Sequence, residues 1–285
     1  MQSRKTSPVS DFDALSGAEA LRRIQSQARY LFHPDEFAKL TGREVQSVAV
    51  KSALMRLSRQ GLITLAAKRP AAWLIVPPEH QHYQAPPVEW WLDDCLKTTE
   101  PHYYLALLSA ARHWGSSHYA LQTTQVMVGR PRKPQAIGQL ALEFFFKKDL
   151  AKTPVVRVNK AVASVRVSTR EATLLDLVRH QTGMGGIEAV ARIAKDFSRD
   201  LSATGLIEAL DALNQAPAAQ RLGFVLETLG LAKPASVVSK WLGARRKLMQ
   251  PLEATSIPAG TATYTTRRWS IEYTQQQETM LKELA

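Results

Sequence analysis

VAVKSALMRLSRQGLI, residues 48–63, has the period of an α-helix up to its glycine and the look of a strand after it. At about 100° per residue, Val50, Ala53, Leu54 and Leu57 gather on one side of such a helix, and Lys51, Ser52, Arg56 and Arg59 gather on another. The spacing predicts a helix over roughly residues 46–60, with Gly61 at the position where a left-handed C-terminal cap belongs. A buried core accounts for the apolar side. The polar side needs a second explanation.

Upstream, Ser16-Gly-Ala-Glu19 is a capping box that opens a first helix, and Pro34 with Asp35 and Glu36 opens a second, short one ended by Gly42. Downstream, LITLA, AKRPA and AWLIVP read as strand, basic tip and strand, with Pro70 in the turn and Pro77-Pro78 ending the pair. Helix, short helix, turn, longer helix and a two-stranded wing make a winged helix-turn-helix, expected over residues 15–80. Residues 1–14 are polar and aperiodic and are expected to be disordered, and 81–91, with two prolines, is expected to be a linker.

Residues 92–285 read as a second domain. It opens with a helix over HYYLALLSAARHWG (102–115), with Tyr104, Leu107, Leu108 and Ala111 on one side, and strands are expected in TTQVMV (123–128), LALEFFFKK (140–148) and 155–167. Helices then run from Ser168 to about Leu248, and TYTTRRWSIEY (263–273) returns to strand-like alternation. The expected class is α+β, predominantly helical: a winged helix-turn-helix followed by a mixed α/β domain. Ser168-Thr-Arg-Glu171 is another capping box, and Asp176, inside an apolar run, is either a buried acid with a functional role or, the favoured reading, a structural carboxylate that is solvated or paired with N–H groups.

The chain's 285 residues carry 37 Lys and Arg against 25 Asp and Glu, a formal charge of +12. Such an excess favours polyanionic partners through steering and counterion release. No apolar run reaches the roughly 18 residues a membrane span needs, and no secretory signal is recognised at the N-terminus. A lone Cys95 offers no internal disulfide, and the cytoplasm is the expected compartment.

The helix-turn-helix gives the polar side of the 46–60 helix a purpose. With Lys51 at zero, Ser52, Arg56 and Arg59 fall at about 100°, about 140° and about 80°, while Leu54 and Leu57 point away. No acidic residue lies between Gln46 and Gly61. The bland alternative is the solvated face of an ordinary amphipathic helix. The preceding short helix, the glycine turn and the basic wing favour DNA instead, with Arg43, Ser47, Lys51, Ser52, Arg56, Arg59, Lys68 and Arg69 as expected contacts. In the second domain, Arg130, Arg132 and Lys133 are expected to project into solvent from the proline-stiffened loop GRPRKP (129–134), with Lys147, Lys148 and Lys152 following; they form either a candidate polyanion contact or a plain solvated loop.

Catalytic patterns are missing. The histidines, including His80-x-His82 and the His113/His118 pair, lack metal-site spacing, and no Walker A, GxGxxG or GxSxG sequence occurs. No Asp-x-Lys or Glu-x-Lys occurs either. No enzyme activity, metal or cofactor is expected.

The winged helix followed by HYYLALLSAARHWG, a strand with a GRPRK loop, VSTREATLLDLVRH and AAQRLGFVLETLG (218–230) resembles the AbiEi-type antitoxins of type IV toxin–antitoxin systems, over about residues 18–232. The resemblance implies autorepression through inverted repeats in the chain's own promoter. It also implies a second domain that counteracts a nucleotidyltransferase-like toxin encoded next door without forming a stable complex. It assigns no role to residues 233–285. The rival reading is a winged-helix regulator whose second domain senses a ligand.

Overall fold

The structure is a computed structural model that describes residues 14–116, 123–159, 162–243, 245, 247–253 and 260–285. The expected lead-in at 1–14 therefore lies, apart from Ala14, outside the described residues, as does His118. The fold is α+β, and the chain divides into two compact units. The first runs to Cys95, with short returns at Ile137–Gln139 and 162–163, and the second holds the remainder.

The first unit opens with α1 (Gly17–Gln25), whose predicted capping box is present in both directions: Glu19 N donates to Ser16 Oγ, and Ser16 N donates to the Glu19 carboxylate at 2.9 Å. β1 (Leu31–Phe32) and α2 (Pro34–Leu40) follow, and Gly42 takes the turn at φ +61°. α3 (Val48–Arg59) is capped by Ser47, whose Oγ accepts from Val50 N at 3.3 Å, and it ends before Gly61 at φ +72°. Val50, Ala53, Leu54 and Leu57 are the buried residues of α3, the side the period selects. They pack with Leu21 and Ile24 of α1, with Phe32, and with Phe37 of α2.

β2 (Ile63–Lys68) and β3 (Ala71–Ile75) form an antiparallel hairpin, and β1 adds to the far edge of β3 in the order β1-β3-β2. Two residues are too few for periodicity to reveal β1. The 81–91 stretch is an ordered part of this unit: short 3-10 turns cover Pro78–Tyr83 and Val88–Trp90, and Trp91, 1% exposed, donates from Nε1 to Pro86 O at 3.2 Å. A short α4 (Leu92–Leu96) follows.

The second unit begins with β4 (Tyr104–Leu105), α5 (Leu107–His113), β5 (Thr123–Val128), β6 (Gln135–Ile137), β7 (Leu140–Phe146), β8 (Val155–Asn159) and β9 (Ser164–Ser168). These strands form one mixed sheet in the order β6-β7-β5-β4-β9-β8. The expected helix over 102–115 is thereby corrected, because Tyr104 and Leu105 pair with β5 and β9 and the helix starts only at Leu107. Five helices follow: α6 (Arg170–Arg179), α7 (Gly186–Phe197), α8 (Ala203–Leu213), α9 (Ala216–Thr228) and α10 (Ala232–Leu242). Their apolar faces share one core with β4 and β5, and every α6 residue from Glu171 to Val178 is buried.

The corner into α6 differs from the sequence expectation. Ser168 is the last residue of β9 and fully buried, and Thr169 caps the helix by accepting from Ala172 N at 3.2 Å. Glu171 does not reach back to complete a box; its Oε1 accepts from Ser202 N at 2.9 Å and so ties α6 to the start of α8. Asp176 is also corrected in part. It is fully buried rather than solvated, and its partners are side chains.

The stretch past residue 233 completes this core. β10 (Gln250–Pro251), β11 (Thr263–Thr266) and β12 (Ile271–Thr274) form a small sheet, followed by α11 (Gln275–Glu283). Gln220 of α9, itself buried, donates from Nε2 to the carbonyls of Leu248 and Trp269 at 2.9 and 2.7 Å. Gly223, one helical turn on, leaves room for Trp269: an added Cβ would fall 1.9 Å from the indole. A buried tryptophan thus fixes the identity of a helical residue 46 positions before it in sequence (269 − 223).

Candidate nucleic-acid interface

α3 projects its polar residues away from the core, as its period requires. Lys51, Ser52, Arg56 and Arg59 are all exposed, and so are Lys68 and Arg69 at the hairpin tip. Among the described residues, none of these five cations has an ion-pair partner. α3 has no acidic residue in its first turn. The nearest acidic pair in sequence, Asp35 and Glu36 of α2, is partly neutralised, since Glu36 takes a bidentate contact from Arg29 at 2.6 and 2.8 Å. That contact raises the Arg29 pKa further above its already high ordinary value.

Two candidate residues play more limited parts. Ser47 is half-buried, and its oxygen is occupied as the α3 cap, which leaves the O–H as a donor. Arg43, in the turn between α2 and α3, is half-buried with Nη1 enclosed and unpartnered among the described residues.

α3 and the hairpin enclose an open groove of about 950 Å³. Val50, Leu54, Met55, Leu65 and Trp73 give its lining a large apolar part, Lys51 and Lys68 stand on it from the two elements, and His33 and Asp35 at the start of α2 line it as well. Local backbone pattern alone would not have put these lysines on one groove. Arg56 and Arg59 lie farther along α3, where they also complement the negative end of the helix dipole.

The second cationic candidate divides on inspection. Arg130 and Lys133 are exposed on the loop between β5 and β6. Arg132 is only half-exposed and lies over the Phe144 ring at 5.0 Å, so it does not project freely into solvent. Lys148 is exposed, and Lys152 stands 3.6 Å from Asp149. Lys147 is not a surface cation: at 4% exposure it donates from Nζ to Asp176 Oδ1 at 2.8 Å and to Tyr104 Oη at 3.2 Å. Tyr104 Oη in turn donates to Asp176 Oδ2 at 2.8 Å. This closed triangle satisfies a buried ion pair in the core of the second unit. Burial, reinforced by the Asp176 charge, pushes the Tyr104 phenol well above its ordinary range.

His180 ends α6 beside the triangle, with its Nε2 enclosed and unpartnered among the described residues. Burial pushes its imidazole below the usual histidine range; the Asp176 charge opposes this, and Arg179 and Lys147 add to it. Sequence reading missed this cluster because Lys147, Lys148 and Lys152 look alike as a charge run. Only the register of β7 turns the first inward. Among the described residues no group of three or more His, Cys, Asp or Glu side chains could hold a metal ion, and no helix is long and apolar enough to cross a membrane.

Residues 104–228 match the family described as the AbiEi antitoxin C-terminal domain. The match begins at the first strand of the second unit and ends with α9. Among solved structures, the crystal structure of the RV2827C protein from Mycobacterium tuberculosis is similar in fold, with a TM-score of 0.61 and 14% identity, covering 95% of this chain and 96% of that one. None of the curated proteins compared with the chain matches it.

Proposed function

We propose, from the match of residues 104–228 to the AbiEi antitoxin C-terminal domain, that this chain is the antitoxin of a type IV toxin–antitoxin pair and the repressor of its own operon. The first unit acts as a winged helix-turn-helix: α3 enters the major groove of double-stranded DNA, and the β2–β3 hairpin follows the adjacent backbone. The second unit counteracts a nucleotidyltransferase-like toxin encoded beside it, in the cytoplasm and without a lasting complex. For the antitoxin part, the family match carries the reading. For the DNA part, the carrying observation is the exposed α3 face, whose three cations have no acidic partner while a fourth, Lys68, joins Lys51 on one groove.

Lys and Arg in this arrangement neutralise phosphates, and Arg also offers two parallel donors to guanine. Replacing Lys51 and Arg56 together by alanine is expected to weaken binding to the chain's own promoter at least tenfold, about 1.4 kcal/mol, in a gel-shift titration. The same double variant, expressed from an unrelated promoter beside the adjacent gene, is expected to rescue growth as well as the unaltered chain does. Unchanged promoter affinity would refute the repressor part. An adjacent gene that is harmless, or toxic and not rescued by the full chain, would refute the antitoxin part.

A further inference from the structure

α3 exposes two large apolar side chains that packing does not account for. Val48 is 79% exposed and Met55 is 50% exposed. Isolated surface apolar residues are ordinary, but these two are not placed at random. Counting about 100° per residue from Val48, Met55 falls at about 340°, and the buried Val50, Ala53, Leu54 and Leu57 fall between about 140° and about 240°. Val48 and Met55 therefore mark the meridian opposite the core, two helical turns apart. On the same count Lys51 lies at about 300°, Arg59 at about 20°, Ser52 at about 40° and Arg56 at about 80°, so polar groups border the apolar meridian on both sides.

We infer that Val48 and Met55 are specificity-determining residues that read the C5-methyl groups of thymine in the operator. This rests on the DNA reading above and adds what the helix recognises. A helix lying in the major groove brings the meridian opposite its core deepest, and there thymine alone among the bases presents a methyl group. The bordering cations select a polyanion as the occupant: they have no ion-pair partner among the described residues, and α3 carries no acid. On this account the cations hold the duplex, and the two apolar side chains choose its register.

The test uses the full chain and the duplex it protects upstream of its own gene. Each thymine in that duplex is replaced singly by deoxyuridine, which removes the methyl group and leaves every hydrogen-bonding group in place. At one or more thymines the replacement is expected to weaken binding about fourfold, the effect of one methyl-sized apolar contact. Val48→Ala or Met55→Ala is expected to bind the thymine duplex about that much more weakly and to respond less than twofold to the same replacement.

The inference is overturned if every single-uracil duplex binds within twofold of the parent. It is also overturned if both alanine variants keep the full uracil sensitivity. A change in oligomeric state of the variants with thymine sensitivity intact, measured by sedimentation, would assign the meridian to contact between copies of the chain. A chain that protects no duplex at all would instead remove the DNA reading, and this inference with it.

Discussion

The two units use the same kind of side chain in opposite ways. Lys51 stands on the exposed face of α3 with no acidic partner, at the edge of a groove open to solvent. Lys147 lies in the core of the second unit, held by Asp176 and Tyr104 at hydrogen-bonding distances. A charge left unpaired in water is stabilised by its own hydration and remains available to a partner. A charge removed from water must be satisfied inside the protein. The net charge of +12 is thus not one uniform resource: part of it is outward and unpaired, and part is spent on holding the fold.

The sharpest way to break this contrast is to make the same substitution in both places. Lys147→Ala leaves the Asp176 carboxylate buried without its cation and is expected to destabilise the second unit by about 3–5 kcal/mol, roughly a 10 °C loss in Tm. Lys51→Ala is expected to change stability by no more than about 0.5 kcal/mol. Replacing all three buried partners with apolar residues (Lys147→Met, Asp176→Leu and Tyr104→Phe) is expected to recover most of the loss, because the buried charge and the groups that satisfy it are then removed together. Thermal unfolding of the variants checks this. Equal effects of the two lysine substitutions would erase the distinction between the units.

A smaller effect sharpens the same contrast through pH. Burial holds His180 neutral, so its folded-state pKa lies below that of the unfolded chain, near 6.5. Its contribution is complete above about pH 6.5 and is lost as the pH falls from there through the depressed folded value, at up to about 1.4 kcal/mol per pH unit. His180→Phe removes that titration. The stability of the unaltered chain relative to this variant is therefore expected to fall on acidification below pH 6.5, and a constant difference across that range would contradict the assignment.

The first unit was largely legible in the sequence because its signals are local. The Ser16–Glu19 capping box, the α3 period and the left-handed Gly61 each depend on residues within one or two turns. The same local reading found the exposed cations and passed over Val48 and Met55, since exposed apolar residues leave no trace in a helical period. The second unit was less legible because distant partners decide it. Glu171 has the spacing of a capping residue but is taken by Ser202 from the start of α8. Lys147 belongs to a run of similar lysines until β7 delivers it to a carboxylate 29 residues away. The tail past residue 233 carries no motif of its own, yet it supplies Trp269, which Gly223 of α9 admits.

The central claim is that the outward cations of α3 contact DNA phosphates. Titrating the full chain against its own upstream DNA over a range of salt concentrations measures this directly. A linear fall of log K with log salt concentration is expected, at about 0.9 per phosphate contacted, and replacing Lys51 and Arg56 by alanine should lower the slope by about 2. A slope that the double variant leaves unchanged would contradict the account.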